Sequence, residues 1–141
     1  MTIKETQEEI IKEFKIFDNW MDKYNYLIKL GKNLPPIDSK YKIEDNLIKG
    51  CLVKTWLCST FKEGRVFYEV DSSSVVIKGF LALLIKVFSG QKPKDIKNAE
   101  LYFIDKIGLR ENFSPLKGNN LFEAVNQMKS ATIAYETKRS I

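Results

Sequence analysis

Residues 52–70 read LVKTWLCSTFKEGRVFYEV. From Leu52 to Phe61 the apolar, aromatic and β-branched side chains are those that pack well on a pleated surface, and Lys62-Glu63-Gly64-Arg65 is a polar break with a glycine where a hairpin turns. Val66, Tyr68 and Val70 then share one face and Phe67 and Glu69 the other, because side chains alternate along a strand. The stretch predicts an antiparallel pair of strands.

The hairpin needs cover, since a two-stranded sheet does not stand alone in water. Downstream, Ser72-Ser73-Ser74 offers a helix N-cap, and Val75 to Phe88 is apolar nearly all round except for Lys78, Gly79 and Lys86. That pattern predicts a buried central helix, too short to span a bilayer and stopped by Gly90 and Pro93. Upstream, Ile10, Phe14, Phe17, Met21, Tyr24 and Ile28 recur in steps of four and three, a helical stripe over Thr6 to Leu30 that Asp18-Asn19 divides. Thr6 and Glu9 have capping-box spacing, and Gly31 is expected to end the segment in a left-handed conformation. Residues 31–50 form a turn-rich segment with Pro35-Pro36, Asp38 and Ser39, leading into Gly50-Cys51.

Toward the C-terminus a short helix is expected within Leu101 to Ile107, before Gly108. Ser114-Pro115 reads as another helix start, Asn120 and Glu123 repeat the capping-box spacing, and the last helix carries Leu121, Val125, Met128, Thr132 and Tyr135 on one face. Strands and helices are segregated along the chain. The expectation is an α+β domain spanning residues 1–141, with a small antiparallel sheet of two to three strands, a short third one lying just before Cys51, covered by helices.

Composition narrows function. With 44% hydrophobic residues in 141, the chain buries about two thirds of its unfolded surface and needs no disulfide or metal to fold. The net charge of +5 is spread over lysines that alternate with acids, as in Lys12-Glu13 and Lys94-Asp95, and no stacking or groove-reading motif accompanies it, so no nucleic-acid partner is expected. No membrane association is expected either. Two cysteines and no histidine exclude a four-ligand Cys/His zinc site and a Cys-His nucleophile pair. The first residues lack an apolar signal core, so a reducing cytoplasm and free thiols are expected.

Cys51 stands where the polar loop meets the apolar strand, held by a rigid element yet open to a partner, with Lys49 and Lys54 close in sequence to favour its thiolate. Cys58 lies inside the strand and reads as packing. In an extended stretch the two would point to opposite faces about 20 Å apart, beyond disulfide reach and unsuited to a shared metal.

Around Cys51 the residues resemble a known family. Leu34-Pro35-Pro36, Asn46-Leu47-Ile48-Lys49-Gly50-Cys51 and Trp56, followed by Asp71-Ser72, Ile77-Lys78-Gly79 and Ser114-Pro115 before Leu121, are similar in order and spacing to the SufE family. The resemblance implies an IscU-like fold and a sulfur carrier that accepts a persulfide on Cys51 from a SufS-type cysteine desulfurase and passes it to the iron–sulfur assembly complex. It implies no cofactor or metal in this chain, pyridoxal phosphate belonging to the desulfurase, and no enzyme activity of its own. Gly50, Asp71, Lys117, Lys49 and Lys54 are then supporting or partner-contact residues, and the protein a monomer or weak homodimer. The chain departs from the family pattern at Leu52-Val53-Lys54, where Gln-Ser usually follows the cysteine, and at Lys117, where arginine is usual; lysine keeps the charge and loses the bidentate fork. The departures leave a second reading, a family member that modulates a desulfurase without carrying sulfur, and a third is a single-cysteine thiol peroxidase, which also needs only one reactive cysteine.

Overall fold

The computed structural model describes residues 1–48, 53–109 and 119–139. Among them run α1 (Ile3–Phe14), α2 (Trp20–Lys32), two short 3-10 turns (Ser39–Tyr41 and Glu44–Asn46), β1 (Thr55–Lys62), β2 (Arg65–Ser72), α3 (Val75–Phe88), α4 (Pro93–Asn98), α5 (Phe103–Lys106) and α6 (Asn119–Arg139). The architecture is the expected α+β one.

The hairpin forms as read. Lys62 pairs with Arg65 across a two-residue turn, and Glu63 (φ 53°) and Gly64 (φ 79°) take the left-handed conformations that such a turn requires. β1 begins at Thr55, later than its composition suggests, because β2 ends opposite it at Ser72 and the chain leaves for α3, whose N-cap is Ser74. Among the described residues the sheet has two strands, and the short third one is represented by a single bridge, Leu47 to Trp56.

Leu57, Val66, Tyr68 and Val70 are buried on one face of the hairpin. α3 packs against β2, α2 and α1, burying Phe80, Leu81, Leu84, Val87 and Phe88, and α6 lies over β1 and α4. The Tyr68 hydroxyl donates to the Met128 carbonyl at 2.7 Å, the Ser59 and Tyr135 hydroxyls lie 2.9 Å apart, and Phe61 stacks on Tyr135 with ring centroids 5.1 Å apart. Gln7 is buried but satisfied: it donates to the Glu100 carbonyl at 3.0 Å and accepts from the Phe103 N–H at 3.2 Å, fastening α1 to the start of α5.

Several local expectations are corrected. The capping box is Thr2/Glu5, with reciprocal bonds of 3.1 and 3.0 Å; Thr6 sits one turn inside α1, buried, its hydroxyl donating to the Thr2 carbonyl. The chain does divide at Asp18-Asn19, and Asn19 caps α2 by accepting from the Asp22 N–H at 2.9 Å. Because α2 restarts with its own phase, the stripe does not carry through: Ile10 and Phe14 are buried, Met21 is 67% exposed, and α2 buries Leu27 and Gly31. Gly31 lies within α2 rather than ending it in a left-handed turn. Pro93, expected only to stop α3, is also the first residue of α4, where its missing N–H costs nothing. α6 is already helical at Asn120, so that residue is not its N-cap; Ala124, Met128 and Thr132 form its buried stripe. Ser114-Pro115 lies outside the described residues. Among the described residues no helix is long and apolar enough to cross a membrane.

Candidate functional site

Cys51, with Lys49, Gly50 and Leu52, lies outside the described residues, as does Lys117. The chain on either side of Cys51 is described and closely held. Ile37 is buried and anchors the loop after Pro35-Pro36. Asp38 accepts from the Lys40 N–H at 3.1 Å, the Asn46 side chain donates to the Tyr41 carbonyl at 2.7 Å, and these bonds set the two short turns. Ile48 is buried and its N–H donates to the Thr55 carbonyl at 2.8 Å. On the far side the Ser73 N–H donates to the Lys54 carbonyl at 3.0 Å, and the Thr55 and Ser72 hydroxyls meet at 3.0 Å. Ile48 and Lys54, the flanks of Cys51, are therefore both held at one place, the open end of the hairpin.

Asp71 organises that place. It faces Trp56 across the hairpin and is largely buried. One carboxylate oxygen lies 2.6 Å from Lys42 Nζ; the other lies 3.5 Å from Lys78 Nζ and accepts from the Ser72 N–H at 2.8 Å. Burial pushes the Asp71 carboxyl up, but the hydrogen bonds from Lys42 and Ser72 and the two lysine charges outweigh it and hold the group below its ordinary value. The expected site residue is thus a junction: it ties Lys42, from the loop preceding Cys51, to the sheet and to α3.

The Lys42 ammonium also lies 5.3 Å from the centroid of the Trp56 ring. Trp56 is half-buried on the sheet face away from the core, because its position alternates with the buried Thr55 and Leu57. A cavity of about 360 Å³ opens here, lined by Lys42, Ile43, Glu44, Leu47, Lys54 and Trp56. Lys54 is exposed, so its ammonium is available to a partner. A larger cavity, about 680 Å³, lies elsewhere between the N-terminus, Arg65 and Tyr102 and contains none of the expected site residues. The smaller one is the relevant space because it adjoins the Cys51 flanks.

Cys58 pairs with Glu69 and shares the outer face with Trp56. It is half-buried, not the buried packing residue expected, because the alternation that buries Leu57 turns Cys58 outward. Partial burial and the Glu69 carboxylate raise its thiol pKa, which disfavours the reactive thiolate. Sequence reasoning did not foresee that Lys42 pairs with Asp71: the two are 29 positions apart in sequence, and no local spacing announces such a pair.

Comparison with known proteins shows the family of the chain. The family described as "SufE: Fe-S metabolism associated domain" matches residues 8–132. The chain is 36% identical over 132 residues to SufE-like protein 1, chloroplastic/mitochondrial, of Arabidopsis thaliana, covering 93% of this chain and 36% of that protein, so it spans about a third of that relative's length. An uncharacterized SufE-like protein of Rhizobium meliloti is 30% identical over 87% of this chain and 91% of its own. One from Synechocystis is 27% identical over 99% and 87%. The solution structure of a hypothetical protein from Thermus thermophilus superposes with a TM-score of 0.77 at 19% identity, covering 94% of this chain and 96% of that one, a likeness of fold.

Proposed function

Because the chain belongs to the SufE family, a family of Fe–S metabolism, we propose that it is a sulfur carrier whose acceptor is Cys51 and whose donor is the persulfide of a SufS-type cysteine desulfurase. The Cys51 thiolate attacks the outer sulfur of the donor's persulfide. A new S–S bond forms to Cys51, the donor's S–S bond breaks, and its electron pair leaves on the donor cysteine as thiolate. No oxidant, metal or cofactor of this chain enters the balance; pyridoxal phosphate serves the desulfurase in the earlier step that makes the persulfide. The Cys51 persulfide then passes to the iron–sulfur assembly machinery.

The observation that carries the reading is the anchoring of both flanks of Cys51 at the open end of the hairpin, Ile48 to Thr55 at 2.8 Å and Ser73 to Lys54 at 3.0 Å. A carrier thiol must enter another protein's active site, and a segment pinned at both ends presents it without disturbing the core. Cys58 supports the assignment by default, since its thiol pKa is raised and it sits within a paired strand.

The test is intact-mass spectrometry after incubation with a SufS-type desulfurase and cysteine without reductant. The protein and its Cys58→Ala variant should gain one sulfur, and Cys51→Ser none, while the chain alone consumes no cysteine. Sulfur on Cys51→Ser would transfer the role to Cys58. Stimulation of the desulfurase with no mass gain would favour a modulator that carries no sulfur. A gain of oxygen with peroxide in place of the desulfurase would favour a thiol peroxidase.

A further inference from the structure

Lys42 spans two layers of the fold. Its ammonium sits 2.6 Å from one oxygen of the largely buried Asp71 and 5.3 Å from the Trp56 ring centroid, while its backbone N–H closes the first short turn onto the Ser39 carbonyl. Asp71 in turn holds Lys78 of α3 at 3.5 Å. Other attachments of the loop among the described residues include a bridge at Leu47, a backbone bond at Ile48 and the packing of Leu34 and Ile48 on the core. Lys42 is thus the point at which a loop side chain reaches past the hairpin's edge and grips the sheet face itself. Its environment differs from that of Lys40, whose pair with Asp38 is 3.9 Å long, local and exposed.

Resting on the carrier reading, we infer that Lys42 is a positioning residue for sulfur acceptance, latching the loop that leads to Cys51 onto Asp71 before the desulfurase docks. A flexible loop would have to be ordered at docking, and that cost falls on affinity. The latch meets the cost in the free protein, so its loss raises the concentration of this protein needed to half-saturate the desulfurase and leaves the rate at saturation nearly unchanged.

A direct contact between Lys42 and the desulfurase would also weaken docking when Lys42 is removed, and Asp71 separates the two cases. If Lys42 acts through Asp71, the variants Lys42→Met and Asp71→Asn have similar effects, and the double variant is no worse than either alone. If Lys42 only touches the partner, Asp71→Asn frees the ammonium and docking is unharmed. The experiment is a titration of the desulfurase with each variant, read as half-saturating concentration and limiting rate, together with hydrogen exchange of the free proteins over residues 37–48. Each single variant should raise the half-saturating concentration roughly fivefold, the size of effect expected of one partly exposed ion pair, and the double variant about the same. Lys42→Arg should restore it, and exchange at Lys42, Leu47 and Ile48 should quicken in both single variants while α1 is unchanged. Additive losses, an unharmed Asp71→Asn, or unaltered exchange over 37–48 would each overturn the latch. Should the unaltered protein accept no sulfur, the carrier reading falls separately, and the exchange data alone decide whether the loop is latched.

Discussion

Gly31 of α2 and Gly79 of α3 meet where the two helices cross: a Cβ added to Gly31 would lie 2.7 Å from the Gly79 nitrogen, and one added to Gly79 would overlap the Leu27 carbonyl. The helices approach this closely because neither glycine carries a side chain. Backbone cannot swing aside as a side chain does. Gly79→Ala should therefore cost about 2–3 kcal/mol, as overpacking at a rigid contact does. At Gly64 a Cβ meets open space but φ is +79°, so Gly64→Ala pays conformational strain alone, about 1 kcal/mol. Urea midpoints at constant slope measure both; equal losses would mean that the helix crossing relaxes.

The Asp71 junction makes a prediction about acid. Its carboxyl is held below the ordinary value of 3.8, so the folded protein binds that proton less readily than the unfolded chain does. Such a group contributes stability that is fully present above the unfolded value and is lost as pH falls through the lower folded one. Asp71→Asn should cost about 1–2 kcal/mol at neutral pH, between an exposed and a buried pair, and the difference from the unaltered protein should shrink as pH falls below the ordinary value and through the lower folded one. Unfolding midpoints across pH 2–7 check the window. A difference constant through it would show that the carboxylate charge is not what stabilises.

The hairpin and the central helix were legible because their signals are local. Glu63-Gly64 sits between two runs of alternating side chains, and Val75 to Phe88 is apolar nearly all round. Thr2-Ile3-Lys4-Glu5 and Thr6-Gln7-Glu8-Glu9 share the capping-box spacing, so spacing could not choose between them; the helix starts at the first, which leaves Thr6 buried inside it. The stripe from Ile10 to Ile28 kept its rhythm across Asp18-Asn19, although the chain changes direction there and leaves Met21 in solvent. At the site, Asp71 was legible through family resemblance, whereas its partners Lys42 and Lys78 are brought to it only by the loop's return and the helix's approach.

Cys58 should behave as a quiet thiol. Partial burial first, and then the Glu69 carboxylate, raise its pKa, so in a Cys51→Ser background alkylation near pH 7 should run several-fold slower than for a free cysteine. Glu69→Gln should quicken it by removing the smaller of the two causes. Because the side chain is half-buried, Cys58→Ala should cost less than about 1 kcal/mol. Alkylation followed by mass spectrometry gives the rates; a Cys58 as fast as free cysteine would contradict the raised pKa.

Among the described residues, Lys54 is an exposed cation on the cavity that adjoins the flanks of Cys51, whereas Lys42 is committed to Asp71. Charges at an interface rim act mainly on encounter, through fields that salt screens within about 8 Å at physiological ionic strength. If the desulfurase presents acidic groups around its persulfide, Lys54→Glu should slow association about three- to tenfold at low salt and have little effect near 1 M salt, with the dissociation rate nearly constant. Lys97→Glu, a charge change on α4 away from the Cys51 flanks, should alter neither rate by more than about twofold. Stopped-flow mixing at several salt concentrations measures this. Equal slowing by both variants would reduce the effect to net charge, and an association rate independent of salt would remove electrostatic steering from the docking of this face.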